Sequence, residues 1–102
     1  MENNLSIVKD SFKELPNNIE AEQAVIGSIL VQNETFDEIN TIVSSANFYD
    51  PMHQSIFSAI ESLIYKGMLA NPITLKNYFE NEKDELNVPE YVLFILKMKR
   101  TN

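Results

Sequence analysis

The sequence contains no cysteine, only two glycines and a single histidine, His53. Without cysteine the chain cannot form a disulfide, a thiolate zinc site or a cysteine nucleophile, which is compatible with the reducing conditions of the cytoplasm. Two glycines are too few for a glycine-rich phosphate cradle, and there is no Walker loop, no G-x-G-x-x-G and no G-x-S-x-G motif. We therefore predict that this chain is not an enzyme and holds no cofactor and no metal.

Positive charge is also scarce, with eight Lys and Arg against fifteen Asp and Glu and a net charge of −7. Binding to phosphates by counterion release needs the opposite sign, so direct binding of nucleic acid is disfavoured. The only basic cluster is Lys97, Lys99 and Arg100, and cations there suit the C-terminal end of a helix.

Long apolar runs are missing as well. No stretch approaches the roughly 20 apolar residues that cross a bilayer, and Met1 to Pro16 lacks an apolar core followed by a cleavage site. We therefore predict a soluble cytoplasmic chain without a membrane partner.

Apolar side chains are nevertheless plentiful for a chain of this length. Hydrophobic residues make up 44% of the sequence, including six Phe and four Tyr. The 102 residues exceed the roughly 55 to 65 at which small domains fold alone. We predict a flexible N-terminal arm over 1–15 and one domain over 16–102, an all-α compact bundle of about five short-to-medium helices with no sheet.

Apolar spacing and capping residues place the helices. Asn17 or Asn18 can cap the first helix, Asp50 the third and Thr74 the fourth, and Gly67 ends the third. The predicted ranges are 19–31, 35–44, 51–66, 75–82 and 91–99.

The last range reads Y-V-L-F-I-L-K-M-K and admits a strand as well as a helix, because six consecutive apolar residues carry no distinguishing period. A helix is favoured, since no other strand is available for pairing. A helix that is apolar on every side needs cover on both faces. We therefore expect that the chain, which ends at Asn102, is a piece of a longer protein.

The helical stripes also predict the core. We expect eight side chains to be buried: Ile26, Leu30, Phe48, Ile56, Phe57, Ile60, Leu63 and Phe79.

Few residues are candidates for chemistry or binding. His53 has no second His and no nucleophile motif beside it, so we interpret it as a structural residue hydrogen-bonded to a nearby loop. Glu20 and Glu22 point to different faces of a helix, and we interpret both as acids that stabilise its N-terminus. Tyr49 and Tyr91 are typical of a core edge, but their rings could also contact a partner.

Two blocks carry the most specific signal. I-E-A-E-Q-A-V-I-G-S-I-L occupies Ile19 to Leu30, and N-F-Y-D-P-M-H-Q-S-I-F occupies Asn47 to Phe57. At this separation they resemble the N-terminal domain of the replicative DNA helicases, the DnaB family.

Shorter matches extend the resemblance over about Leu15 to Leu96, most of the chain. They are the K-G step ending at Gly67, the P-I-T-L step ending at Leu75 and the Y-V start at Tyr91. The chain departs from the family pattern at two places, where Asp is usual: at Asn47, and after Ile73, which Thr74 follows directly.

The resemblance implies a compact helical domain followed by a helical hairpin, a linker and a RecA-like motor that this chain lacks and that would use ATP and Mg²⁺. In that setting the domains dimerise and form a collar above the hexameric motor ring. The collar shapes the channel for single-stranded DNA and docks the helicase-binding domain of primase, and in some members a helicase loader. On this reading Glu20 and Tyr91, which match motif positions at helix starts, are the candidate partner-binding residues.

Other readings stay open. A free-standing adaptor that mimics the collar differs from a fragment only in whether the gene continues past Asn102 into a Walker motif. A helix-turn-helix DNA-binding protein would need a basic recognition helix, whereas the fourth predicted helix has one Lys against two Glu. An enzyme with an unrecognised site is the third class.

Overall fold

The computed structural model describes residues 18–81 and 88–100, with side chains described for 18–80 and 89–97. No strand occurs in these two stretches, so the predicted all-α class is confirmed. The predicted arm over 1–15 lies outside the described residues. The elements are α1 (Ile19–Val31), α2 (Thr35–Ile39), a 3-10 helix (Ser45–Asn47), α3 (Pro51–Tyr65), α4 (Pro72–Asn81) and α5 (Val88–Arg100).

The first helix has the predicted bounds. Asn18 is extended, and its side-chain oxygen accepts the N–H of Ala21 at 3.0 Å. This bond satisfies one of the free donors of the first turn. The helix ends where Gln32 returns to an extended conformation.

The second helix is shorter than predicted, because it ends at Ile39 and not at Ser44. Beyond it the chain continues in irregular turns, in which the Thr41 hydroxyl donates to the carbonyl of Glu38 at 2.7 Å. The following residues Thr41, Ile42 and Val43 are all β-branched, and such residues are weak helix formers. Val43 is still buried, as are Phe36 and Ile39.

The third helix begins and ends on strong local signals. The Asp50 side chain accepts the N–H of Met52 at 2.8 Å, and Pro51 occupies the first turn. At the other end Gly67 has φ +78°, and the N–H of Met68 reaches back to the carbonyl of Leu63 at 2.9 Å. This is the Schellman ending, in which a glycine takes the left-handed conformation.

The fourth helix starts earlier than predicted, and Thr74 is not its cap. The side chain of Asn71 accepts the N–H of Thr74 at 2.9 Å, and the Thr74 hydroxyl accepts the N–H of Asn71 at 3.0 Å. This reciprocal pair caps a helix whose first residue is Pro72, a position where the missing N–H costs nothing.

The last helix is α-helical, so the strand alternative is excluded. It begins at Val88, earlier than the predicted Tyr91. Val92 and Ile95 are buried, whereas Leu93 and Phe94 are about half exposed. The helix therefore buries one face although its sequence is apolar on most sides.

The core forms where α3 packs against α1 and α4, and where α5 packs against α1 and α4. All eight predicted core residues are buried. The ring of Phe57 lies at its centre, with ring centroids 5.6 Å from Phe36 and 5.1 Å from Phe48. None of the described helices has the length and apolar character needed to cross a membrane.

Candidate functional site

A carboxylate is buried in the first turn of α1. The Glu22 side chain is 1% exposed, and Oε2 accepts the N–H of Tyr49 at 2.6 Å. Oε1 accepts a hydrogen bond from Nδ1 of His53 at 2.7 Å and a longer one from the N–H of Asp50 at 3.3 Å. A buried charge is tolerated only when it is paired or hydrogen-bonded in this way.

His53 connects that carboxylate to the last helix. Its side chain is fully buried in the first turn of α3, and Nε2 lies 2.6 Å from the Tyr91 hydroxyl of α5. The Gln23 side-chain amide donates to the same hydroxyl oxygen at 3.0 Å. The imidazole and phenol rings are also stacked, with centroids 5.5 Å apart. We call Glu22, Gln23, His53 and Tyr91 the polar network.

One assignment of protons satisfies every bond of the network. A neutral His53 donates from Nδ1 to Glu22 and accepts at Nε2 from the Tyr91 hydroxyl, whose oxygen accepts from Gln23. Among the described residues, every buried side-chain nitrogen and oxygen has a hydrogen-bond partner. The network is therefore complete without an added group.

The loop between the 3-10 helix and α3 is held by the same region. Besides the two amides that bond to Glu22, the carbonyl of Phe48 accepts a hydrogen bond from the side chain of Gln54 at 2.7 Å. The Phe48 ring is buried in the core, edge-on to the His53 ring. Four segments, namely α1, this loop, α3 and α5, thus meet at one buried point.

The environment of Tyr91 acts on its acidity. Burial raises the pKa of the phenol above 10.0, because the charged phenolate loses contact with water. The hydrogen bond from Gln23 lowers the pKa, while the negative charges of Asp50 and Glu22 raise it further. Tyr91 therefore stays protonated at neutral pH and can donate to His53.

A carboxylate, an imidazole and a phenol in a chain are groups that also occur in catalytic sites. Here the Glu22 and His53 side chains are 1% and 0% exposed, and their polar atoms are occupied by one another and by the loop. A substrate could reach them only by displacing packed helices. The arrangement joins helices and does not present a reactive atom.

The part of the chain that the structure describes contains no group of side chains suited to bind a metal ion. There, no three His, Asp or Glu side chains come together in a way that could hold an ion. Glu22 and His53 are directly paired with each other, so their donor atoms are already used.

The two predicted partner-binding residues have different surroundings. Glu20 is exposed on the first turn of α1, as expected for a surface contact. Tyr91 is half-buried, and its hydroxyl is hydrogen-bonded within the polar network. Whether either residue contacts a partner stays a prediction.

Two sequence interpretations need correction. Glu22 is a buried hydrogen-bond acceptor and not merely an acid near a helix N-terminus. His53 is structural, but its partners are side chains of α1 and α5 and not the loop. The spacing of Glu22 to the buried Val25, Ile26 and Ile29 is three, four and seven residues, which places it on the apolar face of α1. That spacing was the signal in the sequence from which the burial of Glu22 could have been predicted.

Comparison with known protein families identifies the family of this domain. The family model described as the DnaB-like helicase N terminal domain matches residues 14–102. The chain belongs to this family. The polar network is built from its signature blocks, since Glu22 and Gln23 lie in the first block and His53 lies in the second.

Curated relatives agree with this assignment. The chain is similar to replicative DNA helicase DnaB of Rickettsia felis, 36% identical over 86 residues that make up 82% of this chain and 17% of the relative. It is 35% identical over 104 residues to that of Rickettsia typhi, covering 94% of this chain and 21% of the relative. With that of Pasteurella multocida it shares 37% identity over 65 residues, 64% of this chain and 13% of the relative. The chain thus spans about a fifth or less of the length of these relatives.

Proposed function

We propose that this chain is the non-catalytic N-terminal interaction and oligomerisation domain of a hexameric replicative DNA helicase. In this role it forms part of the ring collar and docks primase or a helicase loader. Support comes from the family assignment and from relatives named replicative DNA helicase that are several times longer than this chain. The whole protein would then be an ATP-dependent helicase whose motor uses ATP and Mg²⁺ and passes single-stranded DNA through its ring.

The observation that carries the proposal is that polar residues of the two signature blocks bond to one another inside the domain. Glu22, Gln23 and His53 hydrogen-bond inside the domain and position α1, α3 and α5 relative to one another. These bonds hold the helices in fixed positions, and the side chains that make them are withdrawn from solvent. Such an arrangement supports a rigid scaffold. A scaffold contributes through its surface, and a chain of net charge −7 favours protein partners over direct contact with phosphates.

Sedimentation velocity tests the proposal. The chain is run over a concentration series, alone and with the C-terminal helicase-binding region of the matching primase. We expect a mixed complex, and self-association that grows with concentration. The catalytic region of the same primase is the control and should not co-sediment.

Absence of a mixed complex, together with absence of self-association at high concentration, would contradict the role in docking and assembly. Sequencing the gene downstream of Asn102 separates a helicase domain from an independent adaptor. A Walker motif in the same reading frame is the result expected of a helicase.

A further inference from the structure

An open depression lies where the end of α1 meets the segment between α3 and α4. Its volume is about 290 Å³. Leu30 and Ala70 are buried at this site, while Val31 and Leu69 are 65% and 68% exposed. The volume is close to the lower end of the roughly 300–1,000 Å³ of small-molecule pockets, and the exposed apolar side chains of Val31 and Leu69 at its rim suit contact with an apolar side chain of a peptide.

The depression is held open by a rigid connection. The Asn33 side chain donates to the carbonyls of Ile29 and Ala70 at 2.8 and 3.0 Å and accepts the N–H of Ala70 at 2.8 Å. Both backbone groups of Ala70 are thereby fixed to the end of α1. A preformed site saves the ordering cost that a flexible one would pay on binding.

The apolar character of this surface extends along the chain. Tyr65, Met68, Leu69 and Ile73 are all large, apolar and exposed, within nine residues that include the Gly67 turn. Scattered single apolar residues are normal on a protein surface, but four exposed ones within nine residues, of which Leu69 lines the depression, are typical of an interaction site.

Negatively charged side chains lie beside the depression and favour a positively charged partner. Among the residues that line it, Glu34 is the charged one. Glu34 directly precedes α2, and Asp37 and Glu38 follow it at three and four residues, so the three exposed carboxylates lie on one side of this short helix. A basic peptide segment would be attracted to that face.

We propose that this depression receives an apolar side chain from a basic peptide segment of a protein partner. The Lys and Arg residues that flank the anchor face Glu34, Asp37 and Glu38, and the anchor packs between Val31 and Leu69. This inference rests on the proposed role in docking and gives that role a location.

The test is a titration of the isotope-labelled 102-residue chain with a short synthetic peptide, followed by NMR. The peptide carries one central Leu flanked by Lys and Arg. We expect the amide signals of Val31, Asn33 and Ala70 to shift, and Leu69→Asn to weaken binding about tenfold, the usual effect of losing an apolar contact in a pocket. Leu93→Asn is the matched control, an exposed apolar residue on α5, and should leave the affinity unchanged.

Two control peptides separate the contributions. Replacing the central Leu by Ser keeps the charge and should abolish the shifts near Ala70, and replacing the flanking Lys and Arg by Glu should abolish binding. The proposal is overturned if the Ser peptide binds as well as the Leu peptide, if none of the peptides binds, or if Leu69→Asn binds normally. Concentration-dependent shifts of the same signals without peptide would also overturn it, because a second copy would then occupy the site.

The outcome is separable from that of the proposed function. If the helicase-binding region of primase binds wild type and Leu69→Asn equally well, docking stands and this location is wrong. If that region does not bind while the peptide does, the site stands and primase is the wrong partner.

Discussion

Glu22 and Glu20 are separated by one residue in α1 and lie in opposite environments. Glu20 is exposed, whereas Glu22 is buried and accepts hydrogen bonds from the backbone of Tyr49 and from His53. The apolar spacing of α1 is visible in the sequence, but the partners of Glu22 lie 27 to 31 residues away. The apolar spacing of α1 could place Glu22 on the buried face of that helix. The residues that Glu22 bonds to become visible only in the packed structure.

Replacing Glu22 by Gln tests its structural role. The change removes the charge and, in either orientation of the amide, puts its NH₂ group opposite at least one of the three existing donors, so we expect a loss of about 3 kcal/mol in the free energy of unfolding. Glu20→Gln is the matched control and should change it by less than about 0.5 kcal/mol. Urea unfolding followed by circular dichroism measures both. Equal stability of the two variants would show that the Glu22 bonds do not stabilise the fold.

The raised pKa of Tyr91 leads to a prediction of how the stability of the fold depends on pH. Its pKa is raised in the folded protein, mainly by burial, so folding favours the protonated phenol. The stability contributed by this phenol is therefore complete below pH 10, the ordinary pKa of tyrosine, and is lost as the pH rises through the raised value. Tyr91→Phe lacks this dependence. We expect the stability difference between wild type and Tyr91→Phe to narrow as urea unfolding is repeated from pH 8 to above pH 10.

The same variant has a check at neutral pH. Tyr91→Phe leaves Nε2 of His53 and the amide of Gln23 without their shared partner, which should cost about 1 to 3 kcal/mol. A constant difference between the two proteins across the whole pH series would be evidence that the phenol titrates as it does in the unfolded chain.

At the level of helices, the sequence predicted best where the ends carry strong local signals. α1 and α3 match their predicted starts because Asn18 and Asp50 cap them directly. α2 and α4 differ, since β-branched residues follow Ile39 and since Asn71 and Thr74 cap each other reciprocally. A Thr two residues after a Pro can serve either as the cap or as its partner, and the local sequence does not distinguish the two.

The end of α3 allows a test of its glycine. Gly67 has φ +78°, and a Cβ placed on it would meet no atom within 4 Å. The cost of Gly67→Ala is therefore conformational and not steric, about 1 kcal/mol of stability. Gly67→Asn should cost less, because Asn tolerates the left-handed conformation better. Thermal unfolding of both variants measures this, and equal stability of wild type and Gly67→Ala would refute the αL requirement.

At the scale of the molecule, fold class, core and family followed from the sequence, and the arrangement of the signature residues did not. The blocks that begin at Ile19 and Asn47 identify the family, but they do not reveal that their polar members meet inside the domain. The depression beside Leu69 was likewise hidden, because it forms between the end of α1 and a segment almost 40 residues later. Contacts distant in sequence account for most of what prediction missed.

We propose that the domain is a folded helical scaffold that binds a protein partner through its surface while the polar network stays intact. Hydrogen exchange of the chain, measured with and without the helicase-binding region of primase, tests this most directly. We predict slower exchange in one surface patch, which can include segments distant in sequence, and unchanged exchange at the amides of Tyr49 and Asp50, which bond to Glu22. No protection anywhere at saturating primase, or faster exchange at those two amides on binding, would contradict it.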